Sequence, residues 1–299
     1  MNDRADSITG FNNPDMDSLI TEVKFTRRSF IASSIATGFA LSAGPAVAQT
    51  AIITAADGLE TGSAQIPVAG GNIPTYFAAP KKAGKYATIL VVPEIFGMHE
   101  YQRDICRRLA KAGYYAITMD PFFRSGDLSK IADIKEVIGK ANALEDKIML
   151  ADLDAVVAFL GKQPKVNAKK LGITGMCRGG RTVWMYAAHS KQVKAGVSWY
   201  GGLNPMPPAM PLTPMDVADQ LNAPVLGLYG GADSGIPQTM VDRMNAGLLA
   251  FGKDKQSMIH VYPDMPHAFH ADYRPSYRKE AAEDGWKRML AWFKKHGVA

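Results

Sequence analysis

The sequence is poor in several features that mark specialised protein classes. It holds only two cysteines in 299 residues, and its 28 glycines and 18 prolines are ordinary amounts for that length. These counts exclude a disulfide-stapled scaffold, a collagen-like repeat and a disordered chain. The net charge is +6, but lysine and arginine form no long run, so the charge pattern does not indicate nucleic-acid binding. With 47% hydrophobic residues, the chain is long enough to bury a large core without metals or disulfides.

The first 48 residues predict an export leader. Residues 26–31, TRRSFI, have the form of a twin-arginine signal through Arg27 and Arg28, and a weakly apolar run ends in an AVA sequence at Ala48. Polar and small residues interrupt this run, which argues against the alternative of a transmembrane anchor. We therefore expect a cleaved leader over 1–48, with the twin-arginine machinery as partner, and a single periplasmic or secreted domain over 49–299 without a stable membrane anchor.

The remaining chain alternates short β-rich runs with helical patterns. Several strand candidates are continuously apolar, which is expected when helices cover both faces of a parallel sheet. This alternation predicts a doubly wound, mostly parallel α/β domain. The predicted strands are 73–78, 88–93, 114–119, 170–176, 195–200, 225–229 and 258–262, and the predicted helical segments are 99–112, 131–160, 182–189 and 286–293.

Residues 203–215 interrupt the alternation with five prolines and three methionines. Such a segment cannot form a regular helix or a central strand. Three interpretations remain open: a rim loop packed down by its methionines, an apolar flap over a pocket, and a copper(I) site, since that ion prefers thioether ligands.

The most informative motif is residues 175–180, GMCRGG, between a predicted strand and a predicted helix. This is the turn that presents a nucleophile at the top of an α/β-hydrolase sheet, with Cys177 in the position where serine is commoner. The helix N-terminus favours a thiolate, and the backbone N–H of Arg178 can stabilise an oxyanion. Taken alone, the motif also fits a structural cysteine in a glycine-rich turn.

The order of later residues favours the catalytic interpretation. Asp233 follows the sixth predicted strand and His267 follows the seventh, in the chain order nucleophile, acid, base that α/β-hydrolases use. Alone, Asp233 would be a turn former and His267 a surface histidine. No serine elbow of the form GxSxG occurs, and the His-x-Glu pair of class I glutamine amidotransferases is missing after Cys177. A Cys177–His267–Asp233 triad is therefore predicted.

These residues, with PEIFG at 93–97, GAD at 231–233 and PHAF at 266–269, resemble the dienelactone hydrolase, or carboxymethylenebutenolidase, family over most of the chain after the leader. The resemblance implies an α/β-hydrolase fold, hydrolysis of ester or lactone bonds, and no cofactor or metal. It implies that Glu94 helps form the thiolate and that Ile95 and Arg178 supply the two oxyanion-hole N–H groups. The alternative for Glu94 is a partly exposed cap of the next helix.

The family also holds a substrate carboxylate with arginines, and here the sequence departs from its pattern. The nearest candidates are Arg124 and Arg274, each of which could equally be a surface arginine. We expect an exported cysteine hydrolase of small ester or lactone substrates. A non-catalytic periplasmic protein that binds a small molecule or copper(I) is the alternative. We expect Cys106 to be a small buried residue and no disulfide to join it to Cys177.

Overall fold

The computed structural model describes residues 51–206 and 208–299. The predicted leader therefore lies outside the described residues, as do Arg27, Arg28 and Ala48. Among the described helices, none is both long and apolar enough to span a membrane.

In the described part of the chain, one eight-stranded sheet forms the centre of the fold, with the strand order β1-β2-β4-β3-β5-β6-β7-β8. β1 and β2 form an antiparallel hairpin and β2 runs antiparallel to β4, while all the other neighbouring pairs are parallel. The strands are β1 (Leu59–Val68), β2 (Gly71–Pro80), β3 (Tyr86–Val92), β4 (Tyr115–Met119), β5 (Val166–Met176), β6 (Val193–Trp199), β7 (Val225–Gly230) and β8 (Met258–Tyr262).

Within the described residues, six α-helices connect and cover the strands: α1 (Glu100–Lys111), α2 (Ile134–Asn142), α3 (Asp146–Leu160), α4 (Arg178–His189), α5 (Gln238–Ala250) and α6 (Lys279–Lys295). Phe293 of α6 lies against Gly172 of β5, and Val183 of α4 lies against Gly196 of β6. Gly196 pairs with the residue after Gly172, so these two glycines face opposite sides of the sheet. Helices therefore pack on both faces, which confirms the predicted α/β-hydrolase architecture.

The structure contains all seven predicted strands and adds β1 and α5, which the sequence analysis did not predict. Segment 131–160, predicted as helical, forms two helices, α2 and α3, separated by three residues. β1 is an edge strand whose residues are mostly exposed or half-buried, so its sequence lacks the apolar run that marked the central strands.

Parallel strands place their carboxyl ends at one edge of the sheet, where ligands bind in open α/β folds. The loops after β3, β5, β7 and β8 begin at this edge. They carry Glu94, Cys177, Asp233 and His267 respectively. These four residues are far apart in the sequence, but the fold places them all at this edge of the sheet.

Candidate active site

Cys177 lies on a strained turn between β5 and α4. Its φ of 53° and ψ of −117° are unusual for a residue with a side chain and cost on the order of 1–3 kcal/mol. A Cβ on Gly179 would lie 2.2 Å from the Val92 carbonyl oxygen, and one on Gly175 would lie 2.4 Å from the Gly179 carbonyl oxygen. The glycines therefore let the start of α4 pack directly against the sheet, with Cys177 at the helix N-terminus.

Asp233 and His267 form a buried pair beside this turn. The Nδ1 atom of His267 lies 2.6 Å from Oδ2 of Asp233, and both side chains are at most 3% exposed. Burial lowers the pKa of His267, but the charges of Asp233 and Cys177 and the hydrogen bond with Asp233 outweigh it and hold this pKa well above its usual value. An imidazole held in this way is poised to donate a proton near the thiol.

Glu94 is buried after β3 and is only 1% exposed, so the interpretation of a partly exposed helix cap is wrong. The residue at the N-cap of α1 is instead His99. Burial raises the pKa of Glu94, but interactions with His99, Arg274 and Tyr273 reverse this and bring the pKa below its ordinary value. Glu94 is therefore a carboxylate at neutral pH, which is the form that can accept a proton from a thiol.

Three aromatic residues around Glu94 were not predicted from the sequence. The Tyr273 hydroxyl donates a hydrogen bond to Oε2 of Glu94, and the Nε2 atom of His99 lies 3.8 Å from the same oxygen. The Tyr101 ring packs at 5.1 Å from the Tyr273 ring. Tyr273 directly precedes the predicted Arg274, which was the only sequence signal near it.

A small cavity of about 20 Å³ lies beside the nucleophile. This volume holds about one water molecule, so the site has little empty space as it stands. The cavity brings together both proposed oxyanion residues and two of the three triad residues; its lining is Ile95, Cys177, Arg178, Arg181, Gly202, Met206 and His267. Arg178 is the first residue of α4, where a backbone N–H has no acceptor within the helix and can bind an oxyanion.

The two predicted substrate arginines occupy different places. Arg124 lines a separate cavity of about 380 Å³ between the end of β1 and α3. Its guanidinium donates to both carboxylate oxygens of Asp152 at 2.6 and 2.8 Å and to the Ala69 carbonyl oxygen. The structure therefore does not bring Arg124 to Cys177. Arg274 is buried, and the charges of Tyr273, Glu94 and Cys177 help to raise its pKa against the effect of burial.

The proline- and methionine-rich segment reaches the site through Met206, which lines the small cavity. Met210 is fully buried, and Met215 packs against Gly247 of α5. Met206 and Met215 therefore contact different neighbours, the cavity beside Cys177 and the helix α5. The described part of the chain also has no cluster of three histidine, cysteine or acidic side chains suited to a metal.

The two cysteines differ in their surroundings. Cys106 is fully buried in α1, and burial raises the pKa of its thiol far above the usual range. Cys177 is 8% exposed and lines the cavity, and neither residue is in a disulfide. Only Cys177 is thus placed to react with a ligand.

Comparison with known proteins connects this geometry with a family. The model of the dienelactone hydrolase family matches residues 73–297. A protein of Methylorubrum extorquens named as a candidate carboxymethylenebutenolidase is 50% identical over 287 residues, covering 95% of this chain and 98% of its own. A protein of Escherichia coli strain K12 with the same name is 47% identical over 270 residues, covering 89% of this chain and 98% of its own.

The fold is likewise similar to a solved structure. The crystal structure of a candidate dienelactone hydrolase from Klebsiella pneumoniae superposes with a TM-score of 0.76 at 47% identity. The match covers 79% of this chain and 98% of the other chain. The loops that carry Glu94, Cys177, Asp233 and His267 all lie within residues 73–297, which the family model matches.

Proposed function

This chain belongs to the dienelactone hydrolase family and is a hydrolase with an α/β-hydrolase fold, and from that premise we propose that it cleaves a small ester or lactone through a Cys177–His267–Asp233 triad. The observation that carries the proposal is the buried Asp233–His267 hydrogen bond of 2.6 Å, with His267 lining the same cavity as Cys177. A nucleophile, a base and an acid that orients the base are the three members of a catalytic triad for acyl transfer.

The first half of the reaction forms a thioester. Glu94 accepts the proton of the Cys177 thiol, and the resulting thiolate attacks the carbonyl carbon. The negative oxygen of the tetrahedral intermediate accepts hydrogen bonds from the backbone N–H groups of Ile95 and Arg178. The carbon–oxygen bond of the ester then breaks, and protonated His267 donates its proton to the leaving alkoxide.

The second half releases the acid. Neutral His267 takes a proton from a water molecule, whose oxygen attacks the thioester carbon. The carbon–sulfur bond breaks, and Cys177 leaves as a thiolate that takes back the proton held by Glu94. The carboxylic acid then departs, and Glu94 is again a carboxylate. Asp233 holds the imidazole orientation through Nδ1 and stabilises its charged form in both halves.

Replacement of the nucleophile tests this mechanism. We expect Cys177→Ala to abolish hydrolysis of 4-nitrophenyl acetate, with the far-ultraviolet circular dichroism unchanged. Cys106→Ala is the matched control, because that thiol is fully buried, and it should keep near-normal activity. Mass spectrometry of wild-type protein quenched in acid should find an acetyl group on Cys177. Full activity in Cys177→Ala would contradict the assignment.

We propose in addition that residues 1–48 are a twin-arginine leader and that residues 49–299 form one catalytic domain in the periplasm or outside the cell. The support is the order of the motif at 26–31, the apolar run and the AVA sequence ending at Ala48. In fractionated cells, wild-type protein should be periplasmic with Gln49 at its N-terminus. Arg27→Lys combined with Arg28→Lys should leave the full-length chain in the cytoplasm. Equal export of both proteins would contradict the leader.

A further inference from the structure

Lysines that are scattered along the sequence converge at the amino ends of three parallel strands. Four segments meet there: 81–85 before β3, 162–170 at the start of β5, 191–194 at the start of β6 and 294–299 at the end of α6. Together these segments hold eleven lysines and no aspartate or glutamate. We refer to the four segments as the basic face.

Direct contacts join the segments into one surface. The Nζ atom of Lys165 donates to the Lys81 carbonyl oxygen at 3.1 Å, which links the first segment to the second. Lys170 donates to the carbonyl oxygen of Ala299, which links the second segment to the fourth. The β5–β6 register places Val193 beside the residue after Lys170, so the third segment also lies next to the second.

Two irregularities of the sheet present lysines at this face. The β3–β5 register shifts after Ala87, which leaves residues 168–170 of β5 without a paired residue in β3. The β5–β6 register shifts after Leu171 and passes over Lys194. Lys169 and Lys194 are both exposed. The bulges thus turn lysines towards solvent where a regular strand would continue its pairing.

The basic face concentrates the positive charge of the molecule. Among the described ion pairs, only that of Lys165 with Glu60 joins a lysine of the face to an acidic side chain. Elsewhere on the surface, lysines such as Lys130 are paired with a carboxylate three or four residues away. The whole chain has a net charge of +6, so the eleven lysines leave a net charge of −5 on all the other residues.

The composition of the face favours an anionic lipid surface over a nucleic acid. Its segments hold lysines and no arginine, and arginine is the residue that binds phosphates and bases through a two-pronged fork. They also hold no phenylalanine, tyrosine or tryptophan on which unpaired bases could stack. None of the exposed large apolar side chains of the described chain belongs to these segments, so the face can lie on headgroups without inserting into the lipid.

We propose that the basic face docks this protein reversibly on an anionic membrane surface, with its lysines at the lipid phosphates. Cys177 follows the carboxyl end of β5, so docking leaves the reaction cavity at the opposite end of the sheet and open to solvent. Each lysine near an anionic lipid surface strengthens binding about fivefold, and several acting together give stable but salt-sensitive attachment. This inference does not depend on the proposed hydrolysis.

Sedimentation with lipid vesicles tests the proposal. The full chain should bind vesicles of equal parts phosphatidylglycerol and phosphatidylcholine at low salt and should not bind vesicles of phosphatidylcholine alone. Raising the salt from about 50 to about 300 mM should weaken binding by at least about tenfold, because screening shortens the reach of exposed charges. Failure to bind the anionic vesicles, or binding that does not change with salt, would overturn the proposal.

Two variants with the same loss of charge show whether the basic face is responsible. One removes four exposed lysines from the face: Lys82→Gln, Lys85→Gln, Lys169→Gln and Lys194→Gln. The control removes four exposed lysines from other surfaces: Lys130→Gln, Lys135→Gln, Lys279→Gln and Lys287→Gln. Binding should weaken by about a hundredfold in the first variant and by less than about threefold in the control. Both variants keep residues 1–48, so the predicted leader contributes equally. Equal affinities in the two variants would refute the assignment to this face, and if either variant fails to fold, the salt dependence of the wild type decides.

Two soluble polymers separate a membrane surface from a surface for other anionic partners. Per negative charge, single-stranded DNA and polyglutamate should each bind the full chain more weakly than the anionic vesicles do. Tighter binding of either polymer would assign the face to a nucleic acid or an acidic protein and overturn the proposal. Iodoacetamide should alkylate Cys177 equally fast in free and vesicle-bound protein, and protection of Cys177 by the vesicles would contradict the proposed orientation.

Discussion

Removal of the Tyr273 hydroxyl gives a direct test of how the buried carboxylate is kept ionised. Tyr273→Phe removes the hydrogen bond that Tyr273 donates to Oε2 of Glu94 and leaves the aromatic ring in place. A hydrogen bond to a charged group contributes about 1.5–3 kcal/mol, and one pKa unit corresponds to about 1.4 kcal/mol. The pKa of Glu94, which the folded protein holds below its ordinary value, should therefore rise by about one to two units in the variant.

The sign of the effect on activity follows from the proposed role of Glu94. Only the carboxylate form accepts the thiol proton, so kcat/KM falls as pH drops through the pKa of Glu94. The acidic limb of the pH profile should move about one to two units towards higher pH in Tyr273→Phe. The profile of 4-nitrophenyl acetate hydrolysis between about pH 4 and pH 9 measures this shift.

The same change has a consequence for stability. A carboxylate whose folded-state pKa is depressed stabilises the fold above its unfolded-state pKa, and this contribution is lost as pH falls through the folded value. The free energy of unfolding of Tyr273→Phe should be lower than that of wild type by up to about 1.5–3 kcal/mol at pH 7. That difference should shrink as the pH falls towards the folded-state pKa of Glu94.

Two further variants separate this explanation from a general loss of packing. Tyr277→Phe alters a half-buried tyrosine four residues away and should leave the acidic limb unchanged. In a Glu94→Gln background, Tyr273→Phe should produce no further shift, because the group through which it acts is gone. An acidic limb that stays in place in Tyr273→Phe, or one that shifts equally in the Glu94→Gln background, would refute the reasoning.

Two other changes have clear expected outcomes. Asp233→Asn removes the charge that raises the pKa of His267 and should lower kcat for 4-nitrophenyl acetate by about 10³- to 10⁴-fold, as in other triads; a loss below tenfold would contradict the triad. Gly179→Ala places a Cβ 2.2 Å from the Val92 carbonyl oxygen and should destabilise the protein by at least about 1–3 kcal/mol in urea unfolding. Gly139→Ala in α2, where nothing lies within 4 Å, is its control and should be neutral or stabilising.

The central part of the fold was predictable because its strands are apolar without interruption. Ile89 to Val92 in β3 are all almost fully buried. A parallel strand that is buried on both faces needs apolar residues at every position, and this run can be recognised in the sequence. β1 was not predicted because it is an edge strand with exposed polar residues and therefore has no apolar run. The helix α5 does carry a usable signal, since its buried Val241, Met244 and Leu248 follow helical spacing.

The part of the site that could be predicted from the sequence is the set of residues that directly follow the ends of strands. The order of Cys177, Asp233 and His267 after three parallel strands places them at one sheet edge, and the structure brings them there. The contact of Tyr273 with Glu94 joins residues 179 positions apart in the chain. No local spacing rule predicts such a contact, because it depends on how the loop after β8 folds across the end of β3.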